Sequence, residues 1–116
     1  MLQLGHKQDE LYQQAMQLAK AIYQITAVFP DTERAVLAYS LRRLAALLCQ
    51  DIATGSGKKN KKRRQAFQLC LNHCVALDAQ LELAVTVNLV PHEHIHEAEQ
   101  HLDAVYKKLV AGLHQS

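Results

Sequence analysis

Two clusters in this sequence contain residue types that could bind a metal ion. The first holds four of the seven histidines, at positions His92, His94, His96 and His101. Glu93 and His96 have the Glu-x-x-His spacing of carboxylate-bridged di-iron bundles, which places both side chains on one helical face. Such a site needs a second copy of the motif and two further acids facing inward, which the sequence does not offer at matching positions. We therefore predict no metal site and no cofactor, although His92 and His96 could hold an adventitious zinc or nickel ion.

The second cluster is Cys70, His73 and Cys74. Both cysteines fall on the apolar stripe of a predicted helix, between Phe67 and Leu77, where a thiol behaves as a small apolar side chain. We therefore predict that both thiols are buried and structural. The sequence contains no serine nucleophile elbow, no phosphate-binding glycine loop and no pair of catalytic carboxylates, so we predict that the protein is not an enzyme.

A basic run is the clearest binding signal in the chain. Residues 34–64 contain nine Lys and Arg and one acid, whereas residues 65–106 contain six acids and neither Lys nor Arg. The formal net charge of +2 therefore conceals a polarised molecule. With no Trp, and with Phe67 as the one aromatic residue near the run, we expect contacts to nucleic-acid backbone and not to stacked bases. The residues predicted from charge are Lys58, Lys59, Lys61, Lys62, Arg63 and Arg64.

Two other interpretations of the basic run stay open. Lysine-rich connections between helices are often simply solvated. Alternatively, the run faces the acidic helices of a second copy and steers assembly. Replacing Lys61, Lys62, Arg63 and Arg64 by Gln is expected to weaken nucleic-acid binding and to leave stability nearly unchanged, because these residues lie off the predicted core stripe.

The elements that position these residues are predicted to be helices. A chain of 116 residues allows one domain, 1–116, and 4 Gly with 2 Pro are too few for a many-turned β-fold. Apolar residues recur at steps of 3 and 4 in four segments. The first ends near Phe29 before Pro30, the second runs from Asp31 or Thr32 to Gly55 or Gly57, and the third continues to Asn88. The fourth starts at Pro91.

Short connections between these helices force sequential neighbours to be antiparallel, which predicts an all-α, up-down-up-down four-helix bundle. The most apolar window, residues 35–48, is interrupted by Ser40, Arg42 and Arg43, so we predict no membrane span. Residues 1–10 lack the apolar run of a signal peptide, and the three cysteines are an odd set. We therefore predict a cytoplasmic protein.

Two of the predicted helices carry a second line of apolar residues beside the core stripe. If these lines are not a broadening of one core face, they form an association surface, and on that basis we predict a homo-oligomer. The residues are Val36, Tyr39, Ala46 and Leu47 in the second helix, and Leu69, Ala76, Leu83, Val87 and Val90 in the third.

Several short motifs are shared with a known family. They read Tyr23-x-x-Thr26-x-x-Phe29-Pro30-x-x-Glu33, Leu41-Arg42-Arg43-x-Ala45 and Ile52-Ala53-x-Gly55, followed by Phe67 and the Leu81-Glu82 pair. With them, the chain from Tyr23 to about Leu113 resembles the bacterial four-helix-bundle family of the rRNA-intervening-sequence protein. It resembles more distantly the accessory variability proteins of diversity-generating retroelements.

The resemblance implies a ring-shaped homopentamer of bundles. For the retroelement members it implies a basic surface that binds RNA or DNA and docks a reverse transcriptase. Arg42 and Arg43 match the family's motif, so they join the predicted nucleic-acid-binding residues. The alternative function is a structural or protein-interaction scaffold of the intervening-sequence type that binds no nucleic acid.

Overall fold

All regular elements in the described part of the chain are helical. The computed structural model describes residues 1–114, with Arg34 and Ala35 described by their backbone alone. The α-helices are α1 (Glu10–Thr26), α2 (Asp31–Glu33), α3 (Tyr39–Gly55), α4 (Asn60–Thr86) and α5 (His96–His114). Single 3-10 turns precede α1 and α5, at Gly5–Gln8 and His92–Ile95. The all-helical fold class predicted from the sequence is confirmed.

The four long helices form an antiparallel bundle. Helices α1 and α4 each pack against both α3 and α5. One end of the bundle gathers the start of α1, the start of α4 and the end of α5, because Lys108 Nζ lies 3.3 Å from Glu10 Oε2 and Arg63 contacts Gly112. Sequential long helices therefore run in opposite directions, as in an up-down-up-down bundle. No helix within residues 1–114 has the length and apolar character to span a membrane.

Helix α1 begins at a capped residue and ends before a proline. The Asp9 carboxylate accepts a hydrogen bond from the Leu11 amide at 2.9 Å, which satisfies one of the free amides of the first turn. The helix ends at Thr26, three residues before the predicted end near Phe29. Pro30 disfavours helical geometry in the residue before it, and the chain turns there while Phe29 stays in the core, 1% exposed.

The second predicted helix is interrupted close to its start. A π-helical segment, Arg34–Ala38, joins α2 to α3 within one continuous helical stretch. Four residues of the predicted stripe, Leu37, Leu41, Leu48 and Ile52, are buried. Leu44, the fifth, is half-buried against the core, and its neighbour Ala45 is buried instead.

The predicted core stripes of the third and fourth helices are confirmed. The buried residues are Phe67, Cys70, Cys74, Leu77, Leu81 and Ala84 in α4, and Ala98, Leu102, Val105 and Leu109 in α5, with Ile95 just before it. Helix α4 ends at Thr86, ahead of the predicted Asn88, which has a left-handed backbone with φ 62. Gly112 lies against the Phe67 ring, so closely that a Cβ there would be 2.9 Å from Phe67 Cδ2.

The second apolar lines are exposed in part. Val36, Tyr39, Leu69, Leu83 and Val87 are exposed, and so is Ala46. Ala76 and Leu47 are half-buried, and Val90 belongs to the core, 4% exposed. Several apolar side chains on α3 and α4 therefore remain in contact with solvent in the single chain.

Candidate nucleic-acid interface

Five of the predicted basic residues form an exposed cluster at one end of the bundle. Gly55 and Gly57 lie in the turn that ends α3, and the Lys58 amide donates to the Gly55 carbonyl at 3.0 Å. Asn60, with a left-handed φ of 57, then starts α4. Within residues 1–114 no acidic side chain pairs with any cation of this cluster. We call this cluster the basic end; its residues are Lys58, Lys59, Lys61, Lys62 and Arg64.

The position of these cations is unfavourable for the helix that carries them. The N-terminus of a helix has a partial positive charge, and its first turn normally favours acidic residues. The first turn of α4 contains none, and the sequence has no acid between Asp51 and Asp78. The free amides of the first turn and the surrounding cations together suit an anion such as a phosphate group. No acidic side chain of this first turn therefore offsets its positive charge.

Arg63 differs from its neighbours because it is half-buried and packs against Phe67 and the end of α5. Its Nη1 donates a hydrogen bond to the Gly112 carbonyl at 3.1 Å, and its guanidinium lies 4.2 Å from the centroid of the Phe67 ring. It thereby satisfies a carbonyl near the end of α5, where a cation is favourable. The prediction that the whole run lies off the core is wrong for Arg63, whose side chain joins the start of α4 to the end of α5.

Arg42 also has a structural role. Its Nε donates to Thr26 Oγ1 at 2.7 Å, its Nη2 donates to the Tyr23 carbonyl at 3.2 Å, and its guanidinium stacks 4.7 Å from the Tyr23 ring centroid. The Thr26 hydroxyl donates in turn to the Ile22 carbonyl at 2.8 Å. These contacts hold the end of α1 against the start of α3. The spacing of Tyr23, Thr26 and Arg42 in the shared motifs thus has a packing explanation.

The structure does not bring Arg42 and Arg43 together with the basic end. Both lie near the start of α3, whereas the basic end follows its last residue, Gly55. At 1.5 Å per residue, the helix between Arg42 and Gly55 is roughly 20 Å long. Arg43 is exposed on the side of the bundle. The eight predicted residues therefore form two separate groups, and the side chain of the further basic residue, Arg34, lies outside the described residues.

The histidine-rich stretch forms isolated pairs. His92 Nε2 lies 3.4 Å from Glu99 Oε1, and His101 Nε2 lies 3.6 Å from Glu97 Oε1. Glu93 lies in the 3-10 turn ahead of α5, so the Glu-x-x-His spacing is not carried by one regular helix. Among residues 1–114 no three His, Cys, Asp or Glu side chains are grouped closely enough to hold a metal ion.

The cysteines are buried, as predicted. Cys70 and Cys74 are 1% and 2% exposed, and desolvation raises the pKa of each thiol from 9.0 to about 12. His73 does not join them. Its Nε2 lies 2.8 Å from Asp51 Oδ2, which ties α4 to α3 in a half-buried pair. Sequence reasoning missed this pair because the two residues are on different helices and no local spacing connects them.

Comparison with known proteins agrees with this architecture. A family model described as 23S rRNA-intervening sequence protein matches residues 7–111. That range includes all of α1, α3 and α4, most of α5, the contacts of Arg42 and the whole basic end. A search of curated proteins gave no match. Because the family model covers most of the chain, this protein belongs to the 23S rRNA-intervening sequence protein family.

Proposed function

We propose that this protein is a non-catalytic, cytoplasmic helical bundle that binds the phosphate backbone of nucleic acid through its basic end. The observation that carries the proposal is the group of five exposed cations around the first turn of α4, with no described acidic partner. Proteins gain much of their nucleic-acid affinity from such phosphate contacts through counterion release.

The nearby acids do not neutralise this charge. The Glu10 carboxylate is 3.3 Å from the Lys108 ammonium, and the Asp51 carboxylate is held by His73. Phe67 is buried under Arg63 and offers no surface for base stacking. The expected interaction is therefore with phosphate and with the shape of the helix or strand, and not with base sequence.

The proposal includes assembly into a homopentameric ring. It is supported by the exposed apolar side chains of α3 and α4 and by the resemblance stated above. A ring would place five basic ends on one particle and raise the affinity for a continuous phosphate backbone by multivalency. Light scattering should then return about five times the chain mass of 13.0 kDa, and a mass of one chain at micromolar concentration would contradict assembly.

The proposal extends to a role as accessory protein to a reverse transcriptase in a diversity-generating retroelement. Its support is the shared motif that starts at Tyr23, together with the basic end. The second candidate function is a protein-interaction scaffold without nucleic-acid binding. The exposed apolar residues of α3 and α4 favour it, because such surfaces mark protein contacts.

The deciding experiment compares two double variants of equal charge. Lys61→Gln/Lys62→Gln removes two cations from the basic end, and Lys20→Gln/Lys107→Gln removes two exposed cations from the sides of α1 and α5. Anisotropy titrations with generic RNA and DNA at several salt concentrations give the log–log salt slope. We expect the basic-end variant to reduce its magnitude by up to about 1.8, at about 0.9 per phosphate contact, and the control variant to leave it unchanged.

Two outcomes would contradict this function. Equal affinity and equal salt slope in both variants would mean that the basic end is a solvated connection. Dissociation of the basic-end variant in light scattering would mean that the cations contact the acidic helices of a second copy. In the second case the scaffold function would be favoured.

A further inference from the structure

A groove on the side of the bundle is distinct from the basic end. It consists of two adjoining cavities of about 480 and 150 Å³ between α4 and α5, which share Asp78 and Glu99 in their linings. The lining on the α4 side extends from Cys74 to Thr86, which corresponds to about 18 Å or slightly more than three helical turns. We call it the α4–α5 groove and define it by Val75, Asp78, Glu82, Glu99, Asp103 and Tyr106.

The floor of the groove is apolar, and apolar side chains stand on its rim. Leu81 and Leu102 form part of the lining and are 2% and 6% exposed. Val75 on α4 and Tyr106 on α5 also line the groove and are 60% and 43% exposed. Apolar surface of this kind beside a concave floor is typical of a protein contact site.

The rim of the groove is acidic. Four carboxylates belong to it, and residues 65–106 contain neither Lys nor Arg. Asp103 is paired with Lys107 at 2.8 Å and Glu99 lies 3.4 Å from His92, whereas Asp78 and Glu82 make no ion pair with any residue that the structure describes. The negative charge around the apolar floor therefore favours an occupant that is both apolar and basic.

The geometry points to a basic amphipathic helix of a partner protein as the occupant of the α4–α5 groove. Three helical turns accommodate apolar side chains at positions i, i+4, i+7 and i+11, and Lys or Arg on both flanks would face the rim carboxylates. A second copy of this chain fits less well, because residues 58–66 contain no apolar side chain larger than alanine. The basic end of a second copy would complement the acidic rim of the groove, but it has no apolar side chains to cover the apolar floor.

The groove and the basic end can be occupied together. Arg64 and Val75 are eleven residues apart on α4, which is about 16 Å along the helix. Binding of a basic helix in the α4–α5 groove therefore does not require nucleic-acid binding at the basic end. A bundle with both sites would connect a nucleic-acid backbone to a basic protein that would otherwise compete for the same phosphates.

The test uses a fluorescein-labelled 18-residue Lys/Leu peptide with leucines on one helical face, and a matched peptide with Glu in place of Lys. Anisotropy should show binding of the Lys peptide and not of the Glu peptide. Asp78→Lys should weaken binding about tenfold, since it turns an attraction into a repulsion. Glu93→Lys makes the same charge change outside the groove and should alter binding less than about twofold. Val75→Ser should weaken binding several-fold, whereas Val28→Ser, the same change at an exposed side chain just after α1, should not.

Three results would overturn the inference. One is equal binding of the Lys and Glu peptides. Another is unchanged affinity in both Asp78→Lys and Val75→Ser, which would place the peptide elsewhere on the bundle. The third is a change of particle mass in light scattering on Asp78→Lys, which would show that a second copy fills the groove. Both replaced side chains are exposed, so the variants should fold.

Discussion

Arg63 and Lys62 are adjacent and carry the same charge, yet they should respond differently to replacement by Gln. Arg63 is half-buried, donates to the Gly112 carbonyl at 3.1 Å and lies 4.2 Å from the Phe67 ring centroid. Lys62 is exposed at the first turn of α4. We expect Arg63→Gln to lower the free energy of unfolding and Lys62→Gln to leave it nearly unchanged.

The magnitude follows from the contacts that Arg63 loses. A hydrogen bond from a charged group contributes about 1.5–3 kcal/mol, and a partly exposed cation–π contact contributes about 0.5–1 kcal/mol. Removing a cation from the first turn of a helix returns about 0.3–1 kcal/mol. With partial solvent exposure, we expect a net loss of about 1.5 kcal/mol. For a domain of this size, that loss lowers Tm by about 6 °C. Lys62→Gln should change stability by less than about 0.5 kcal/mol.

Urea denaturation followed by circular dichroism measures both variants, and a double-mutant cycle with Phe67→Leu isolates the ring contact. In the Phe67→Leu background, Arg63→Gln should cost about 0.5–1 kcal/mol less than in the wild type. If Arg63→Gln and Lys62→Gln have the same small effect, Arg63 does not join α4 to α5 and belongs with the basic end. Equal costs in both backgrounds would exclude a contribution from the ring.

Two further predictions concern α3 and the buried thiols. Arg42→Gln should lower the free energy of unfolding by about 1.5–3 kcal/mol in urea titrations and leave the affinity for nucleic acid intact, because the contacts of Arg42 are with Tyr23 and Thr26. The exposed Arg43→Gln serves as its control. An equal loss of stability in both variants would contradict a structural role of Arg42. Burial holds the pKa of Cys70 and Cys74 at about 12, above 9.0, so their contribution to stability is complete below pH 9 and is lost as the pH rises toward 12. Urea titrations should therefore show that the free energy of unfolding falls between pH 8 and pH 10, and that it falls less in Cys70→Ala/Cys74→Ala than in the wild type. An identical fall in the wild type and the variant would mean that other groups cause it.

The spacing of apolar residues was sufficient to predict the core, but spacing and charge were insufficient to predict the candidate site. The burial of Leu77, Leu81 and Leu109 follows from their helical spacing, because each helix must hide its apolar face. The choice between Leu44 and Ala45 was not fixed by the pattern, because either residue completes steps of 3 and 4 between the buried Leu41 and Leu48. Arg42 was grouped with residues 58–64 because it matches the family's motif and they carry the same charge, and neither observation gives the positions of these residues along a bundle.

The sequence by itself determined the all-α class, the antiparallel order of the long helices, the burial of Cys70 and Cys74 and the separation of basic from acidic segments. These features depend on residue spacing, short connections and net charge, which are local properties of a chain. Tertiary structure decided which cations are available for a ligand. Arg42 donates a hydrogen bond to Thr26, 16 residues away in the sequence, and Arg63 donates one to Gly112, 49 residues away. These partners come within hydrogen-bond distance only when the helices pack. Contacts over such separations depend on how whole helices are placed, so the spacing of neighbouring residues does not encode them.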